Sequence, residues 1–118
     1  MTHHTVQVLS TGTLKGTEVE NAQGENLGHL EEVMLDLDTG RVAYAVLSFG
    51  GILGIGDKLF AVPWDALRID TREERIILNV DKERLENAPG FDKDDWPETA
   101  DPSWLNRVYS YYGYTYGA

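Results

Sequence analysis

The sequence predicts a mainly β fold, a small antiparallel barrel or sandwich. Three observations predict it. Short segments of alternating apolar and polar residues recur about every ten residues, separated by turns rich in Gly, Asp and Asn. No crossover helix lies between any two of them, which excludes a doubly wound sheet. The chain has 118 residues, 42% hydrophobic and 25% charged, which suits one ordinary domain with its own core.

The elements follow in order. Glu18-Val-Glu20 is a short strand that stops at the turn cluster Asn21-Ala-Gln-Gly24. Residues 27–38 form a long strand in which Val33, Leu35 and Leu37 alternate with Met34, Asp36 and Asp38, placing the apolar set on one face. Asp38-Thr39-Gly40 is a hairpin connection with Gly at the position that needs a positive φ. Residues 41–49 return as its partner, apolar on both faces and therefore central. After the glycine-rich loop 50–56, residues 58–62 form a strand that Pro63 ends by removing a backbone donor. Residues 66–70 and 75–80 are strands joined by the polar turn Thr71-Arg-Glu-Glu74. Asp81 caps a two-turn helix that Pro89-Gly90 stops. An acidic stretch follows, and Asp101-Pro102 opens a helix on which Trp104, Leu105, Val108, Tyr109 and Tyr112 make an apolar stripe.

Composition excludes several kinds of chemistry. There is no cysteine, hence no disulfide, thiol nucleophile or Cys-type zinc site. Ten Lys and Arg stand against twenty Asp and Glu, a net charge of −10, which repels phosphate backbones and anionic lipid. The expectation is accordingly no nucleic acid, no direct membrane insertion, no cofactor and no metal. The start has no signal-peptide pattern and no stretch approaches a bilayer span, so a cytoplasmic protein is expected. His3 and His4 read as part of a polar, frayed terminus.

Three motifs invite a chemical reading. The loop Gly50-Gly-Ile-Leu-Gly-Ile-Gly56 resembles a phosphate loop only in its glycines; Asp57-Lys58 leads into a strand where a nucleotide site needs a helix N-terminus. Its Ile52, Leu53 and Ile55 either tuck into the core or form a contact patch. Asp36-Leu-Asp38 lacks the glycine and glutamate spacing of a calcium loop and is explained by the hairpin. His29 would need an acid–base partner converging on it, and its chain neighbours alternate faces.

Four stretches together resemble a known family: Leu14-Lys-Gly-Thr-Glu-Val19; Gly24-Glu-Asn-Leu-Gly-His-Leu-Glu-Glu-Val33 with Leu35-Asp-Leu-Asp-Thr-Gly-Arg-Val42; Ala45-Val-Leu-Ser-Phe-Gly-Gly51 with Gly54-Ile-Gly-Asp-Lys58; and Phe60-Ala-Val-Pro-Trp-Asp-Ala-Leu67. In this order they look like a PRC-barrel domain, as in the cytoplasmic part of the photosynthetic reaction-centre H subunit and the C-terminal half of RimM-type ribosome maturation factors. With no membrane helix and no RNA-side domain in the sequence, the expectation is a resemblance to the small stand-alone bacterial members instead.

The resemblance implies a small antiparallel PRC-type β-barrel of about six strands over residues 14–87, with one or two short C-terminal helices. A flexible segment over 1–13 precedes it, and an acidic linker with an aromatic extension over 88–118 follows. Gly24 and Gly28 release the chain into the long hairpin, and Pro63-Trp64 sets a corner that drops the indole against the barrel mouth.

The resemblance also implies a non-catalytic module for protein–protein interaction and assembly. The expected partner is another protein or a second copy of this chain, a homo-oligomer with a dimer favoured. The interface candidates are Ile52, Leu53, Ile55, Trp64, Trp104, Leu105, Val108, Tyr109 and Tyr112, since Tyr and Trp favour places where one side of a ring is apolar and the other wet. The tail packs on its own barrel, packs on a second copy or stays unfolded, in that order of expectation. Two alternatives stand beside this reading: an adaptor that docks on a photosynthetic or other membrane complex through a basic partner, and a small enzyme using His29 with a carboxylate.

Overall fold

The long hairpin is the centre of the structure, a computed structural model that describes residues 7–50, 57–92 and 101–116. Strands β2 (Asn26–Leu35) and β3 (Val42–Gly50) pair antiparallel, with His29 opposite Ser48, Leu30 opposite Leu47 and Val33 opposite Ala45. The connection forms as the sequence expects: Gly40 has φ +75°, and the Asp36 carboxylate accepts from the Asp38 N–H at 2.9 Å. Strand β3 is apolar on both faces because both are covered. Ala45 and Leu47 enter one buried cluster, Tyr44 and Val46 another.

The strands cross most closely at Gly28. Its φ is +93°, and a Cβ placed there would lie 2.0 Å from the Ser48 carbonyl oxygen. Only a residue without a side chain fits this approach.

Around the hairpin stand β1 (Glu18–Glu20), β4 (Asp57–Val62), β5 (Leu67–Asp70), β6 (Arg75–Leu78) and β7 (Gly90–Asp92), in the order β5-β6-β1-β2-β3-β4-β7. Three expectations are corrected here. The sheet is mixed, since β1 and β6 run parallel with Val19 opposite Ile76 and Glu20 opposite Ile77. The alternation within a strand carries no information about the direction of a partner so distant in sequence. Among the described residues the sheet also has seven strands. Gly90-Phe91-Asp92 sits inside a proline- and acid-rich stretch that reads as linker, yet it pairs antiparallel with β4.

The third correction is that the ladder does not close into a barrel, because β5 and β7 end the order without joining. Pro63 supplies no donor after β4, and the 3-10 turn Trp64–Ala66 carries the chain away before β5 begins.

The open sheet nevertheless curls around one core. Leu30 of β2, Phe60 and Val62 of β4, and Ile76 and Leu78 of β6 share one buried cluster, with Leu67 and Ile69 of β5 packed against it. Helix α1 (Thr11–Leu14), which begins inside the stretch expected to be flexible, adds Leu14. Helix α2 (Lys82–Glu86) adds the fully buried Leu85. The apolar face expected along 33–37 is shorter than its pattern. Strand β2 ends at Leu35, and Leu35 and Leu37 are exposed because the hairpin tip projects past the core.

Helix α3 (Pro102–Tyr111) begins as expected, with the Asp101 carboxylate accepting from the Ser103 N–H at 2.8 Å and Pro102 in the first turn. It lies on the outer face of β3 and β4. Leu105, Val108 and Tyr109 are buried there against Ala43, Tyr44, Val46, Leu59 and Ala61. Each such aliphatic contributes about 1.5–3 kcal/mol. The Tyr109 hydroxyl donates to the Ala43 carbonyl at 2.5 Å. The end of α3 also grips α2. The Arg84 guanidinium lies 4.4 Å from the Tyr111 ring centroid and donates to the Tyr111 carbonyl, while the Tyr111 hydroxyl donates to the Arg84 carbonyl.

Candidate interaction surface

The β5–β6 hairpin is held by local chemistry. Leu67 faces Leu78, Arg68 faces Ile77, Ile69 faces Ile76 and Asp70 faces Arg75. At the turn the Asp70 carboxylate accepts from the backbone N–H groups of Arg72 and Glu73, at 3.1 and 3.2 Å. The Glu73 N–H, then that of Arg72, and then the charges of Arg75 and Arg68 hold this carboxyl below its ordinary range. Glu74 takes φ +53° to complete the turn. Arg75 reaches across the parallel pair to Glu20 at 2.9 Å. Being partly exposed, that bridge adds at most about 1 kcal/mol.

Among the described residues, strand β5 has β6 on one side and no strand on the other. Beside this edge runs the N-terminal strip, with Val8 81% and Leu9 47% exposed. Val8, Leu9, Leu14, Trp64, Ile69 and Thr71 wall a groove of about 570 Å³. An adjoining groove of about 510 Å³ is more polar, carrying Lys15, Glu18, Asp70, Glu74 and Arg75. A bare strand edge flanked by exposed aliphatics is a surface on which another polypeptide can add hydrogen bonds and apolar contacts.

The candidates read from sequence fall in three places. Ile52, Leu53 and Ile55 lie outside the described residues. Leu105, Val108 and Tyr109 are buried against this chain's own sheet, and what they hold is α3. Trp64, Trp104 and Tyr112 are half-buried. Trp104 meets the Tyr44 ring edge-on at 5.2 Å, and Tyr112 meets Tyr111 edge-on at 5.1 Å. The Trp64 indole packs on the main core and also lines the groove beside β5. A third groove, with Asp36, Thr39, Arg41, Val42, Tyr109 and Tyr116, meets Trp64 from elsewhere. Sequence reasoning missed Val8, Leu9 and the β5 edge. The apolar pair Val8-Leu9 was a visible signal, but its exposure depends on what folds beside it.

His29 meets a carboxylate only locally. Its Nε2 lies 3.1 Å from the Glu31 carboxylate, two residues along the same strand face, with both side chains partly exposed. Catalysis by a histidine pair would draw its second group from a distant element into an enclosed site. Among the described residues, no group of three or more His, Cys, Asp or Glu could hold a metal ion. Nor is any helix among them long and apolar enough to cross a membrane.

A curled seven-stranded sheet among the described residues, with a helix on its outer face and an open edge beside exposed aliphatics, defines a small β domain. The family follows from the sequence match. The model of the PRC-barrel domain covers residues 8–85, about two thirds of the chain, and the protein belongs to that family. PRC-barrel domains serve in general as protein-interaction modules and are generally non-catalytic. No curated protein matches the chain.

Proposed function

We propose that this protein is a non-catalytic docking module that receives another polypeptide chain along the β5 edge. The observation that carries this reading is the unpaired edge of β5 beside the groove of Val8, Leu9, Trp64 and Ile69. An extended segment laid there gains main-chain hydrogen bonds from the edge and side-chain contacts from the groove. The aromatic residues of α3 support the surface indirectly, by fastening the sheet's outer face and gripping α2. The family's general role in protein interaction agrees with this reading.

The test is affinity capture from the source cell, run in parallel with the wild-type chain and a Val8→Asp/Leu9→Asp variant. A polypeptide held by the wild type and lost by the variant supports the reading, a tag-free copy of the same chain included. Equal recovery by both would remove the groove from consideration.

A further inference from the structure

We propose that the occupant of the β5 edge is a second copy of this chain, its own β5 paired antiparallel about a two-fold axis at Ile69. The proposal rests on the docking reading above and adds the partner and the register. In this register Arg68 lies opposite Asp70 of the second copy, and Asp70 opposite its Arg68. Ile69 faces Ile69, and Leu67 faces Thr71.

The local charges of β5 complement a second copy of the same strand and select the register. Each copy carries −10, so two copies repel at long range and can meet only where the contact is locally balanced. Strand β5, Leu67-Arg-Ile-Asp70, holds one cation and one anion. The Arg68 side chain is exposed and makes no hydrogen bond or close ion pair among the described residues, its charge reaching Asp70 of its own strand only at longer range. Asp70 uses Oδ1 for the turn, while its Oδ2 forms a long ion pair with Arg75 Nε at 3.7 Å, beyond hydrogen-bond length, and retains acceptor capacity.

The competing registers are penalised by the same residues. Centring the axis on Arg68 sets Arg68 against Arg68. Centring it on Asp70 sets Asp70 against Asp70 and Arg68 against Arg72. Like charges directly opposite are destabilising. Centring between residues sets Arg68 against Ile69 and brings the charged face of one sheet beside the apolar face of the other. The Ile69 register joins opposite charges on one face, keeps the core-facing Leu67 and Ile69 together on the other, and is self-complementary, as a two-fold interface must be.

Sedimentation equilibrium of the full chain from about 1 to 300 µM tests this. The wild type should approach the mass of two chains. Arg68→Asp, which places a carboxylate opposite Asp70, should weaken association at least about tenfold while keeping the wild type's far-UV circular dichroism. Arg107→Asp makes the same charge change on α3, away from β5, and should dimerise as the wild type does. A wild-type chain of single mass throughout overturns the proposal, as does a dimer indifferent to Arg68→Asp. The two readings separate cleanly. A monomer that still captures another polypeptide through Val8 and Leu9 ends self-pairing and leaves the docking module standing. A dimer sensitive to Arg68→Asp, with capture insensitive to Val8→Asp/Leu9→Asp, keeps the self-pairing and removes the groove.

Discussion

Replacing Gly28 by alanine should cost more stability than its single methyl group suggests. At φ +93° an L-residue pays about 1–2 kcal/mol of backbone strain. The added Cβ would stand 2.0 Å from the Ser48 oxygen, 3.0 Å from its carbonyl carbon and 3.1 Å from the Phe49 Cα. All three are backbone atoms in a ladder, so no side chain can swing aside. Restoring ordinary contact means moving β2 and β3 apart by more than an ångström where Ser48 is buried. One or two backbone groups then lose good partners, at about 1–3 kcal/mol each. The sum spans about 2–8 kcal/mol, a large share of the 5–15 kcal/mol that typically holds a domain together. Gly40→Ala is the matched control. Its φ of +75° carries the strain, but nothing lies within 4 Å of its Cβ, so it should lose only about 1–2 kcal/mol. Urea unfolding of the two variants, with thermal melts at about 3–6 °C per kcal/mol, measures the difference. If Gly28→Ala and Gly40→Ala destabilise equally, the close approach of β2 to β3 is not what requires glycine.

Three further outcomes follow from the tyrosines. Tyr109→Phe leaves the buried Ala43 carbonyl without its donor and should destabilise by about 1–3 kcal/mol in chemical denaturation; no change would mean the hydroxyl is dispensable. Tyr112→Phe should be neutral or stabilising by up to about 1 kcal/mol, because the Tyr112 hydroxyl is buried with no hydrogen-bond partner among the described residues. A loss of stability would reveal a partner that matters. Burial pushes the Tyr44, Tyr109 and Tyr112 hydroxyls above the ordinary phenol range. The unfolded chain loses these protons near pH 10 while the folded one keeps them, so stability is full below about pH 10 and falls as pH rises above it. A phenolate absorbance titration followed alongside circular dichroism should show some of the six tyrosines ionising late and together with unfolding; all six titrating early with the fold intact would contradict the burial.

The local elements were legible in the sequence because their causes are local. Period-two alternation, the Asp38-Thr39-Gly40 turn, the stop at Pro63, and the Asp101-Pro102 start of α3 each follow from residues within a few positions of one another. The helix stripe was equally plain, but not its destination. Leu105, Val108 and Tyr109 suit a partner's surface or their own sheet alike, and the sheet became their partner only because Tyr44, Val46, Leu59 and Ala61 leave an apolar outer face on β3 and β4.

What the sequence determined by itself was a mainly β PRC-barrel domain with a long hairpin and a C-terminal aromatic helix. Tertiary structure alone decided that β1 meets β6 in parallel, that Gly90-Phe91-Asp92 joins β4, and that β5 keeps an unpaired edge. The reason is that backbone hydrogen-bonding groups are the same in every residue, so a strand's side chains record which face is buried but not which distant strand, if any, lies beside it.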